Sequence, residues 1–259
     1  MRKYTILTGP EYEKHVNING ADIIVHRIKA TEDLELVLDK KKSICIKKDT
    51  LGGWVEGYHN LNPLSDTNCW IHDNAIVCQN ARVKNYAQVT DNAIICGNAV
   101  IDDDSSVKDS AFIGGNCELF DFSCVSGNAK LSGDSVLLAS ATVSDNAIII
   151  GTKETNRKGI SKQLLLKGSV YIYGNAEITG ASFLNGDIQV FGNSKLEKCY
   201  LEGRIDIWDS SLIRESLNGR YLIANDKKIC YFEKTRIPRK FLIKNGSINK
   251  EENTDGNTK

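Results

Sequence analysis

Residues 68–151 divide without remainder into fourteen hexads, from NCWIHD and NAIVCQ through NAIICG and DSSVKD to NAIIIG. The fourth place is always Ile, Val or Leu, beginning with Ile71, Val77 and Val83 and ending with Ile149. The second place is always Ala, Ser or Cys, and the first is mostly Asn, Asp or Ser. A helix repeats its apolar face about every 3.6 residues and a strand about every 2. A strict repeat of six fits neither and means a solenoid.

Side-chain alternation in a short strand sends the aliphatic residue inward and its two neighbours outward. The small residue two places earlier also points inward, near a corner where only a compact side chain fits. Asn, Asp or Gly at the hexad junction suits the left-handed backbone of a tight corner. Three hexads close a triangular coil, and coils stack at about 4.7–4.9 Å. One coil cannot bury its own core, so stability comes from stacking.

The rhythm breaks at residues 152–163 (TKETNRKGISKQ), a polar stretch that reads as an extruded corner loop. It resumes with Leu166, Ile172, Ile178, Leu184, Val190 and Leu196, then slips by one residue to Leu201, Ile207 and Ile213. The expected fold is all-β: an N-terminal β cap over 1–67, a parallel β-helix of about seven triangular coils over 68–215, and a C-terminal closure over 216–246. Residues 247–259 are polar, lack aromatic residues and read as a disordered tail.

Within the cap, Tyr4–Leu7, Ile23–Ile28 and Ser43–Ile46 read as strands, with a turn at Asn19-Gly20. Thr31-Glu32-Asp33 suggests one short helical turn. In LGGWVE (Leu51 to Glu56) the two glycines permit a tight bend, and Trp54 offers area to cover the open first coil. Near the other end, a turn over residues 225–228 predicts a hairpin from Tyr221 to Phe232, with another strand at Phe241–Ile243.

These hexads resemble the hexapeptide-repeat family, whose members are left-handed parallel β-helices. The left hand comes from that resemblance, since ordinary crossovers favour the right. The LGGWVE stretch with the following NL and CWI is similar to uncharacterised hexapeptide proteins of enteric bacteria and their phages, which carry a transferase label largely by fold.

Formal net charge is zero but unevenly spread. Residues 68–151 hold 4 Lys/Arg against 10 Asp/Glu, and residues 214–259 hold 11 against 6. The basic end suits an acidic partner or the acidic barrel itself. Met1-Arg2-Lys3 leads into a mixed stretch, not an apolar run, so no signal peptide is expected, and no segment has the length of a membrane span. The eight cysteines form no Cys-x-x-Cys pair, so no metal site is expected. Cys69 and Cys117 take the small inward place. Cys78 and Cys96 lie eighteen apart and should stack facing outward, as thiols if the compartment is the cytoplasm.

Sorting outward positions by face gives the functional candidates. The first face carries His72, Thr90, Lys108, Ser126 and Ser144 beside Trp70, Gln88 and Ser106, and reads as solvated. The second carries Ile76, Ile94, Phe112, Lys130 and Ile148, beside Cys78, Cys96, Gly114, Ser132 and Ile150. An outward apolar column of this size is usually covered. Either it is a subunit interface, as the threefold trimers of the resembled family imply, or residues 1–50 or the C-terminal strands fold over it. In the later coils Tyr173, Phe191 and Trp208 should stack as an aromatic ladder with Tyr171 alongside. Such a ladder binds a sugar, a base or a partner chain, or anchors the terminal hairpin through Tyr231, Phe232 or Phe241.

The family resemblance also implies a coenzyme A-dependent acyltransferase with a histidine base between subunits. His72 is the one histidine inside the repeat, and Lys153, Arg157, Lys158 and Lys162 of the loop are the candidates for coenzyme phosphates. Loop and His72 are more than four coils apart, roughly 20 Å. No phosphate loop, nucleophile elbow or zinc-protease motif is present. Asp102-Asp103-Asp104 reads as a solvated turn, and the basic run Lys234 to Lys244 is a weak signal for nucleic acid. The reading with most support is a rigid, non-catalytic module of the cytoplasm that binds a protein partner or itself. The alternatives are the trimeric acyltransferase and a specific inhibitor or immunity protein.

Overall fold

A computed structural model describes residues 2–39, 42–64, 67–155, 159, 161–208, 212–216, 220–225, 228–232, 241–244 and 247–249. Parallel pairing joins residues eighteen apart. Trp70 pairs with Gln88, Ser106, Cys124 and Thr142 in succession on the first face. Ile76, Ile94, Phe112, Lys130 and Ile148 follow one another on the second, and Arg82, Val100, Glu118 and Val136 on the third. The first face continues through Tyr171, Gln189 and Asp206. The result is a parallel β-helix of about eight turns. That is one turn more than the seven coils expected.

The hexad explains each element of this geometry. At the sixth place the backbone turns left-handed at every corner from Asp73 (φ 47°) to Asp145 (φ 58°). Where that residue is Asp, its carboxylate accepts the corner N–H one coil on: Asp109 N–H donates to Asp91 at 3.0 Å, and Gly127 N–H to Asp109 at 2.8 Å. First-place asparagines form amide ladders, Asn80 to Asn98 at 3.1 Å and Asn98 to Asn116 at 2.8 Å. Second and fourth places fill the core, fully buried from Cys69 and Ile71 to Ala147 and Ile149. At one corner Gly97, Gly115 and Gly133 stack so closely that a Cβ on Gly97 would lie 2.7 Å from the Gly115 nitrogen.

After the loop the third and first faces merge into single strands, Leu164–Ile172, Phe183–Val190 and Tyr200–Ile207. The one-residue slip appears as Phe183 pairing with Tyr200. Leu212–Ser216, Arg220–Asn225 and Lys228–Phe232 extend the second face as an antiparallel meander, with the expected hairpin closing at Asn225 and Lys228. Phe241–Lys244 adds to Tyr200–Ile207 and turns back on Ser247–Asn249. Those last three residues are therefore a strand and not the start of a tail; residues 250–259 lie outside the described residues.

The cap contains β1 (Tyr4–Ile6), β2 (Glu13–Ile18), β3 (Ala21–Ala30), β4 (Leu34–Asp39), β5 (Lys42–Ile46) and β6 (Leu51–Val55). Two expectations are corrected here. Residues 31–33 form no helical turn; they lead into the antiparallel pair β4–β5, whose Leu34, Leu36 and Ile46 alternate toward the core. Gly52 and Gly53 make no bend. They lie within β6, where a Cβ on Gly53 would overlap Ile71 Cγ2, so their bareness lets the strand seat on the first coil.

The two tryptophans also exchange roles. Trp70 is buried under Tyr4 in an edge-on contact at 6.4 Å, while Trp54 lies on the outer surface beside Ile76. Lys3, fully buried, donates from Nζ to the Thr67 and Cys69 carbonyls at 2.9 Å each and so caps the open end of the first coil. The Tyr4 hydroxyl donates to the Leu61 carbonyl at 2.8 Å, and burial raises its pKa well above the usual value.

Candidate functional site

The outward column of the second face has a cover over its first rungs. β2 and β3 form a hairpin through Asn19 (φ 51°) and Gly20 (φ 87°), the pair of left-handed residues that a two-residue turn needs. Its apolar side, Val16, Ile18, Ile23 and Val25, packs on Ile76, Cys78, Ile94, Cys96 and Phe112. Trp54 joins that cluster, with the Arg27 guanidinium 4.9 Å from its ring centroid. Of the two expected covers, part of residues 1–50 thus occupies these rungs. Cys78 and Cys96 are free thiols beneath the hairpin, and burial pushes them up to about 12 and about 11.

Farther along, the column lies open. Lys130 occupies the fourth rung, exposed, and beyond it Ile148 and Ile150 keep 37% and 42% of their surface in solvent. Ile148 and Ile150 pair in register with Lys130 and Ser132 of that fourth rung. Rung four is where cover ends.

His72 follows the first rung of the first face. Its Nε2 lies 2.8 Å from Gln88 Oε1. That amide oxygen must accept, so Nε2 carries the proton. Gln88, nearly buried, spends its own NH₂ on the carbonyls of Asn68 (2.7 Å) and Tyr86 (3.0 Å). The first face is therefore less solvated at its start than expected, with Trp70 and Gln88 both buried.

The loop leaves the second face at Gly151, four rungs beyond Ile76, or about 20 Å at strand spacing. Glu154–Thr155 pairs with Ser161–Lys162 as a short antiparallel ribbon. Lys153 and Lys162 are exposed on it; Arg157 and Lys158 lie outside the described residues. His72 and the described loop cations Lys153 and Lys162 are not brought together within one chain.

The aromatic ladder forms from Tyr173 and Phe191, eighteen apart, and Trp208, seventeen farther on across the one-residue slip. Tyr173 stacks on Phe191 at 4.9 Å with planes 3° apart, and Phe191 on Trp208 at 6.3 Å. Both faces of Phe191 are spent on its neighbours. Tyr171 is exposed beside it, and the Tyr173 hydroxyl donates to Gln189. The expected anchors Tyr231, Phe232 and Phe241 have side chains outside the described set. A second stack, Phe183 on Tyr200 at 4.8 Å, escaped the sequence reading because the one-residue slip hides its period.

Among the described residues no group of three or more His, Cys, Asp or Glu side chains is placed to hold a metal ion. Asp102 accepts from the Asp103 N–H and lies 3.6 Å from Lys84 Nζ. Most of the basic run from Lys234 lies outside the described residues. No described helix is long and apolar enough to cross a membrane. Comparison with protein-family models and with curated proteins finds no match.

Proposed function

We propose that this chain is a non-catalytic binding or scaffolding module of the cytoplasm, which acts through protein contacts on the outer faces of a rigid rod. The observation that carries this reading is the setting of His72. Its ring is tied to Gln88, a side chain itself fully engaged, and the loop that would hold a coenzyme leaves the rod four rungs away. A general base needs a substrate within hydrogen-bond reach. The contact surface is the open part of the second face, where Ile148 and Ile150 stand exposed one rung beyond Lys130. A homotrimer built on this surface is one form such contacts take.

Two measurements test the reading. Millimolar acetyl-CoA should leave the melting temperature unchanged, because a ligand that binds the folded state raises it by mass action. A rise that disappears in His72→Ala would favour the acyltransferase instead. Light scattering then reads assembly: if the chain self-associates, Ile148→Asp should return it to a monomer. An assembly indifferent to that change would remove the second face from the account.

A further inference from the structure

Where the cap meets the third face, Tyr58, His59, Asn62, Pro63, Arg82 and Lys84 line a groove of about 310 Å³. That volume is at the small end for ligand pockets and fits a small molecule better than a chain segment. Its construction follows from pairing. Leu61 bridges to Val83 in parallel, Val83 N–H donates to the Asn60 carbonyl at 2.8 Å, and Asn62 N–H donates to the Val83 carbonyl at 3.0 Å. Residues 60–62 therefore act as an extra rung above the third face. Arg82 and Lys84 flank the inward Val83, so both project outward from the same side of one strand, beneath that rung.

The charge here is opposite to its surroundings. Residues 68–151 hold 4 Lys/Arg against 10 Asp/Glu, and two of those four cations are Arg82 and Lys84. Arg82 is exposed, has no ion-pair partner among the described residues, and meets Val100, not an acid, on the adjacent rung. Lys84 faces Asp102 at 3.6 Å, but that carboxylate also accepts from Asn85 and the Asp103 N–H. At the far wall the Arg2 guanidinium sits 4.2 Å over the Tyr58 ring. His59 is fixed by a 2.6 Å bond from Nε2 to the Gln79 carbonyl.

We infer that this groove binds a small organic phosphate, its phosphate held by Arg82 and Lys84 and its organic part against Tyr58 and Pro63. Two cations two residues apart suit a dianion better than a single carboxylate, and the planar fork of arginine matches phosphate oxygens. The site is separate from the second face, so it stands or falls independently of the protein-binding reading.

Calorimetric titration of the full chain with phenyl phosphate, inorganic phosphate and benzoate tests it. Phenyl phosphate should saturate, with inorganic phosphate weaker and benzoate weaker still. Arg82→Gln, a change at an exposed side chain, should weaken phenyl phosphate about tenfold or more, Arg82→Lys less, and Lys108→Gln on the first face not at all. Absence of saturation, equal binding by Arg82→Gln, or equal losses in Arg82→Gln and Lys108→Gln would overturn the site. Inorganic phosphate bound as tightly as phenyl phosphate would overturn the part assigned to Tyr58 and Pro63.

Discussion

Ile76, Ile94 and Ile148 occupy the same place in their hexads, on the same face, in one continuous ladder. The first is buried and the second partly buried under the β2–β3 hairpin, while the third stands in water. The coil itself does not distinguish them. What differs is a hairpin more than fifty residues upstream of the covered rungs, whose own alternation of Val16, Ile18, Ile23 and Val25 matches the column it meets. Inward positions of a solenoid are fixed by the repeat. Outward positions take their meaning from whatever the rest of the chain lays over them, and here Lys130 marks where that cover stops.

The contrast breaks most sharply with a buried charge. Val25→Asp, at a fully buried hairpin position, should lower stability by about 3 kcal/mol or more, because no partner is available there. Ile148→Asp should change the unfolding free energy measured in urea by no more than about 0.5 kcal/mol. If both variants unfold alike, the hairpin does not cover the column. Ile76→Ala should cost about 2–5 kcal/mol by leaving a cavity, against little for Ile150→Ala. Gly53→Ala should cost about 1–3 kcal/mol, since its methyl group would meet Ile71.

A smaller effect belongs to the thiols. Burial raises Cys78 to about 12 and Cys96 to about 11, so the folded state holds their protons more tightly than the unfolded chain does. The stability this confers is complete below about pH 8.5 and is lost as pH rises toward those folded values. Melts between pH 8 and 11 should show the loss, and a Cys78→Ala, Cys96→Ala double variant should show less of it.

The rod was legible because its code is local. A small residue at the second place, an aliphatic at the fourth and a left-handed corner at the sixth each answer to a constraint within one coil. The outward column was legible as apolar, and residues 1–50 as one of its possible covers, but the choice among a second subunit, residues 1–50 and the C-terminal strands was not, since nothing at Ile94 points to a turn at Asn19-Gly20. The cap misled for the same reason. Gly52-Gly53 reads as a bend until Ile71 is known to lie against it, and Trp54 and Trp70 exchange places because long-range packing decides which one is buried. His72 carries no local sign of Gln88, its partner sixteen residues on. The groove at Arg82 and Lys84 needed residues 60–62 laid over it before two ordinary surface cations became neighbours of a cavity.

Thiol labelling tests the intrachain cover most directly. With iodoacetamide on the native full chain and peptide-by-peptide mass analysis, Cys45, which is exposed, should label first. Cys78 and Cys96 should stay protected to the same degree at every protein concentration, because the hairpin that covers them belongs to their own chain. Labelling at the rate of Cys45 would contradict the cover altogether. Protection that fades on dilution would place a second copy over the column in its stead.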